Sequence, residues 1–83
     1  MPRMNIAEYE RALEARLRGA MAGVSPLAVI RMFRGVEAEE LASRTGMPLA
    51  RIQGVEEGRL AFTDDELDAV AAALGVPFDL LVD

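Results

Sequence analysis

Apolar side chains recur along this chain at steps of three and four residues, in blocks set apart by glycine and proline, and no segment alternates strictly. In the first block Ile6, Tyr9, Leu13, Leu17, Ala20 and Met21 keep the apolar register, with Glu8, Glu10, Arg11, Glu14 and Arg18 between them. That period, with opposite charges at helical spacing, predicts an amphipathic helix. Gly19 and Gly23 weaken its end. Ser25 followed by Pro26 reads as an N-cap with proline at the first helical position. It opens a helix burying Leu27, Ile30 and Phe33, which Gly35 stops.

Three further helices follow. One covers roughly residues 38–45, with Leu41 and Ala42 inward and Glu37, Glu39 and Glu40 crowding its start, where the helix dipole favours anions. Gly46 stands where a left-handed C-cap belongs. The next starts at Pro48, buries Ile52 and Val55, and ends by Gly58. Thr63-Asp64-Asp65-Glu66 is a capping box with extra acids, opening a helix that buries Leu67, Val70, Ala71 and Leu74 before Gly75. After Pro77, Phe78 and Leu81 tuck back as a last short turn. Met21, Met32 and Met47 fall at core spacing. The expected fold is all-α with five helices.

The chain has 83 residues, enough for one modest helical core. We expect a helical extension over residues 1–24 and the main domain over 25–83. With one Tyr, three Phe and no Trp, that core is aliphatic. No apolar run approaches membrane-spanning length, and no signal-peptide core opens the chain. Without Cys there is no disulfide or thiolate site, which fits a cytoplasmic protein. Without His either, the usual soft-ligand metal set is missing. The Asp64, Asp65, Glu66 and Asp68 cluster reads as helix capping. No cofactor is expected, and no enzyme, since nothing suggests a shaped pocket around a carboxylate pair.

Charge is divided unevenly. Residues 1–35 carry six Arg against three Glu, a balance of +3; residues 36–83 carry three Arg against eleven acids, a balance of −8.

Short helices joined by glycine turns match a helix-turn-helix arrangement, and the residues from Leu27 to Val76 resemble the Cro/C1-type (XRE) family without a gap. Val36-Glu37-Ala38-Glu39-Glu40-Leu41-Ala42 stands where that family has Leu-Thr-Gln-Glu-Glu-Leu-Ala, and Ala73-Leu74-Gly75-Val76 keeps its Ala-Leu-Gly-Val. The run Ser25-Pro26-Leu27-Ala28-Val29-Ile30-Arg31, with Phe33-Arg34-Gly35 after it, resembles the antitoxin branch. The resemblance implies a five-helix lambda-repressor-like domain behind an extra N-terminal helix. It also implies operator DNA, a homodimer and a toxin protein as partners. A structural ion pair is carried over to Arg31 and Glu56. On a DNA-binding reading Arg51 and Gln53, the residues left polar in the helix that starts at Pro48, would read bases, Arg44 and Arg59 would hold phosphates, and Leu49 and Ala50 would meet thymine methyls.

The chemistry at these positions departs from the family. Its base-contacting positions fall on Ala38, Leu49, Ala50 and Gly54, its helix N-cap on Pro48, and the loop that often touches phosphates is Arg59-Leu60-Ala61-Phe62. Major-groove readout needs donors and acceptors, and the half that would read DNA is the acidic half, opposite to the usual electrostatic footprint. Two functions follow: a DNA-binding regulator of the autorepressing antitoxin kind, and an interaction module that keeps the scaffold and presents Leu49, Leu60 and Phe62 to a protein. On the first reading, Gly54 sits in an exposed helix interior and costs about 1 kcal/mol against Ala.

Overall fold

Each local signal in the sequence that closes a hydrogen bond at a helix end is used. The computed structural model describes residues 4–82. Among them lie α1 (Ile6–Met21), α2 (Pro26–Phe33), α3 (Ala38–Thr45), α4 (Leu49–Glu56), α5 (Asp64–Leu74) and a 3-10 turn, Phe78–Leu81. The expected all-α fold of five helices is the one observed.

Ser25 Oγ accepts from the Ala28 N–H at 3.2 Å. Thr63 and Glu66 close a reciprocal capping box on α5. Asn5 and Glu8 close a second box on α1, a signature present in the sequence and unused in its reading. Neither α3 nor α4 has a side-chain N-cap bond. They are joined instead through Gly46, whose φ of 73° places it in the left-handed region that favours glycine.

Every element sends one fully buried side chain to a common core: Ala12, Ile30, Leu41, Ile52, Val70 and Leu80. Leu27, Ala71, Leu74 and Leu81 complete it. From α2 to α5 the core is the one the periodicity predicts; the departures lie in α1, at two methionines and in the last turn. Phe78 is exposed, while Leu80 and Leu81 of the same turn go inward. Met21 and Met32 are also exposed; of the three methionines placed at core spacing, Met47 alone packs against the core.

The first helix is turned relative to its sequence reading. Its most hydrophobic stripe faces away from the core, and α1 docks on α2 through Ala12 and Gly19. Small residues on that side bring the two helices close together. Gly19 therefore does not weaken a helix end; α1 continues through it to Met21. A Cβ at Gly19 would overlap Cγ2 of Val29. Polar bonds hold the docked helix in place. Tyr9 Oη donates to Asp79 Oδ2 at 2.6 Å, and Arg16 donates to the Asp79 carbonyl. Arg34 lies 3.6 Å from Glu8 and donates to the Leu74 carbonyl at 2.9 Å. No helix among the described residues is long and apolar enough to cross a membrane.

Gly19→Ala sets a helix-propensity gain of about 1 kcal/mol against overpacking of about 1–3 kcal/mol. Val29 is buried and stiff at χ1, so overpacking wins. Urea unfolding is expected to show a net loss of about 1 kcal/mol, changing to a gain when Val29→Ala is already present.

Candidate nucleic-acid interface

The rotation of α4 about its own axis decides what it offers to a groove. Ile52 points into the core and is fully buried. One turn on, Glu56 is held by Arg31 of α2. Arg31 Nε donates to Glu56 Oε2 at 2.7 Å and Nη2 to Oε1 at 3.1 Å, while Nη1 donates to the Val36 carbonyl at 3.0 Å. Both side chains are nearly covered, at 14% and 15% exposure. A bidentate pair of this kind fixes geometry more than it adds net stability. It fixes the end of α4 and the turn before α3 against α2.

With Ile52 and Glu56 turned inward, residues 50, 53 and 57 share the outer face by helical spacing, and Ala50, Gln53 and Glu57 are all exposed. Among the described residues no hydrogen bond engages the Gln53 side chain, so its amide is available to a ligand. Leu49 is half-buried at the edge of this face. Ala38 is partly buried at the start of α3 and packs against the core. Glu57, which the sequence reading did not place here, sets a carboxylate among the reading positions. The i, i+3, i+7 spacing of Ala50, Gln53 and Glu57 is the signal that finds it.

Arg51 does not share this face. Two positions before Gln53, it lies on the side of α4 turned to the start of α5. Its Nε and Nη2 donate to the two carboxylate oxygens of Glu66, each at 2.5 Å, and Nη2 also donates to the Ala61 carbonyl at 3.0 Å. The guanidinium pulls the Glu66 carboxyl down to about 2, helped by the Thr63 backbone N–H. Glu66 thus serves both the α5 capping box and the Arg51 clamp. The first role was legible from four consecutive residues. The second joins positions fifteen apart on different helices, a separation no spacing rule covers.

The two remaining arginines are also engaged, but less firmly. Arg44 pairs with Glu40 one turn earlier and donates to the Ala73 carbonyl at the end of α5, a helix with no basic residue in its own last turn. Arg59 pairs with Glu57 at 2.7 Å. Their side chains are 46% and 63% exposed, against 29% for Arg51. Exposed pairs are worth only about 0–1 kcal/mol, so Arg44 and Arg59 can exchange their carboxylates for phosphates at little loss. Arg51, held in a bidentate pair with an added carbonyl, gives up more.

Gly54 requires a correction. It is buried, not exposed on the reading face. The backbone N–H groups of Arg59 and Leu60 both donate to its carbonyl, and the Leu60 side chain lies over it, so that a Cβ at Gly54 would stand 2.9 Å from Leu60 Cγ. Glycine lets the loop close on the helix. Leu60 and Phe62 then line a cleft of about 620 Å³, together with Val24, Val55, Leu67 and Leu81. Leu49 is not part of that lining.

A family model described as helix-turn-helix matches residues 30–81, a span that runs from within α2 through the last turn and contains the Arg31–Glu56 pair, α3 and α4. The five-helix architecture is accordingly of the Cro/C1 type. No curated protein and no solved structure matches the chain.

Arg31→Ala strands Glu56 in a nearly covered position and is expected to lower stability by about 3 kcal/mol in chemical denaturation; an unchanged melting temperature would remove the pair's structural role. Glu66 titrates lower in the folded chain than its unfolded value of about 4.3. Its stabilising effect is therefore complete above about pH 4.5 and lost as pH falls towards 2. Glu66→Gln keeps an acceptor for the capping box, and should melt lower than wild type at pH 7. The two melting curves should converge as the pH is taken down to 2.

Proposed function

The chain belongs to the helix-turn-helix family of DNA-binding transcription regulators, and from that premise we propose that it is an autorepressing antitoxin, binding its operator as two copies and neutralising a toxin protein. The observation that carries DNA binding is the outer face of α4. It is open to solvent, carries Gln53 with its amide unengaged beside Ala50, and is oriented by the Arg31–Glu56 pair behind it. A Gln side chain suits adenine in the major groove, and small apolar groups suit a thymine methyl. In this reading Gln53 reads a base, Ala50 and the edge of Leu49 meet methyl groups, and Arg44 and Arg59 turn to phosphates. Arg51 reaches a base only by leaving Glu66; otherwise it braces α4 against α5.

The antitoxin part rests on the run from Ser25 to Gly35 and on the helix that precedes it. The acidic balance of residues 36–83 suits a basic toxin. A second reading is favoured by two observations: Glu57 on the outer face of α4 and the cleft that Leu60 and Phe62 line. In it the scaffold docks a protein and binds no DNA.

Fluorescence anisotropy with a fragment of the chain's own promoter, at two salt concentrations, tests the proposal. With Arg44 and Arg59 as the phosphate contacts, log affinity should fall against log salt with a slope of about −2 per copy. Gln53→Ala should cost about 1–3 kcal/mol of sequence discrimination, whereas Arg44→Ala and Arg59→Ala should weaken all sequences alike. Absence of binding at low salt, with a stoichiometric complex to the product of an adjacent gene, would replace the DNA reading by the second one.

A further inference from the structure

Among the described residues the most hydrophobic side of α1 has no partner. Ile6, Leu17 and Met21 are 79%, 67% and 89% exposed, with Leu13 exposed beside them. Their spacing sets them in one stripe along a helix ~24 Å long. A contiguous apolar stripe of this kind on a small domain marks an interaction surface. The helix beneath it is a firm platform, held to α2 at Ala12 and Gly19 and to the last turn through Tyr9 and Asp79.

The charges bordering the stripe say what covers it. Glu10 interrupts it, and Glu14, Arg11 and Arg18 follow along the edge turned away from Tyr9. We propose that α1 packs antiparallel against α1 of a second copy of this chain, about a two-fold axis near Leu13. In that register Ile6 lies opposite the partner's Met21, and Leu17 lies across the aliphatic stem of the partner's Glu10. Helical rise brings Glu10 within about 1.5 Å in axial height of the partner's Arg18, and Glu14 within about 3 Å of the partner's Arg11.

Two-fold symmetry repeats each contact, so every charge on the edge meets one of opposite sign. A parallel pairing sets Glu10 against Glu10 at the same height. Arg18 is free to change partners: its contact with Glu14 is 4.0 Å long, with both side chains mostly exposed, and such i,i+4 pairs are weak. α1 sits on α2 and the last turn, so the pairing leaves the outer face of α4 uncovered. The inference deepens the two-copy reading above, and rests on it only for the use made of the dimer.

Sedimentation equilibrium of the full chain across the micromolar range is expected to show a monomer–dimer equilibrium. Leu17→Glu, at an exposed position, should raise the dissociation constant by about tenfold or more with an unchanged melting temperature. Glu10→Arg and Arg18→Glu should each weaken the dimer, and the two together should restore it, as only the antiparallel register requires. A wild-type chain that stays monomeric, or a dimer indifferent to Leu17→Glu, overturns the proposal. The DNA reading is decided separately: a dimer that binds no promoter DNA supports this interface and removes the regulator, whereas a monomer that binds DNA does the reverse.

Discussion

The contact between Arg31 and Glu56 is the constraint on which the arrangement of the domain turns. It joins α2 to the end of α4 and, through the Val36 carbonyl, to the turn that launches α3. Removing two charges from water costs about as much as their attraction returns, so the pair's value lies in its geometry. It admits one rotation of α4 about its axis. With Glu56 drawn inward and Ile52 in the core, Gln53 and Ala50 have nowhere to face but outward. The side chains that α4 leaves open to solvent are thus settled from behind it, by residues turned into the protein.

The second governing feature is the excess of carboxylates around that helix. In the half of the chain with three arginines and eleven acids, each arginine has found a carboxylate of its own: Glu40, Glu57 or Glu66. The outcome differs by exposure. At Arg44 and Arg59 water weakens the pairing and keeps the cation available. At Arg51 the bidentate geometry, the added Ala61 carbonyl and the shared capping box make the guanidinium part of the α4–α5 joint. A residue type suited to guanine is here a structural brace in the free protein.

Close approach is obtained with glycine at two places, and both were legible only as defects in a helix. Gly19 lets α1 settle on Val29, and Gly54 lets the loop after α4 fold its Leu60 over the helix. In each case glycine's poor helix propensity is outweighed by what its missing Cβ permits. These two contacts place the ends of α4 and of α1 relative to the core.

The helices, most of their caps and the buried positions of α2 to α5 were legible along the chain, because those depend on neighbours three and four residues apart. Ser25-Pro26, Gly46 and Thr63-Glu66 act as their residue types require, and Ile30, Leu41, Ile52 and Val70 are buried as their period demands. Resemblance to a known framework supplied the Arg31–Glu56 pair. Which side of α1 faces the core was settled by packing between segments. Hydrophobicity favoured Ile6, Leu13, Leu17 and Met21; the space above Val29 admitted Gly19, and Ala12 of the same side went into the core. The same fit between segments also decided that Arg51 answers to Glu66, that Glu57 stands on the outer face while Gly54 lies beneath the loop, and that Phe78 is left in water. All of these depend on distances between segments, and steric fit and ion pairing across helices leave no period in a chain.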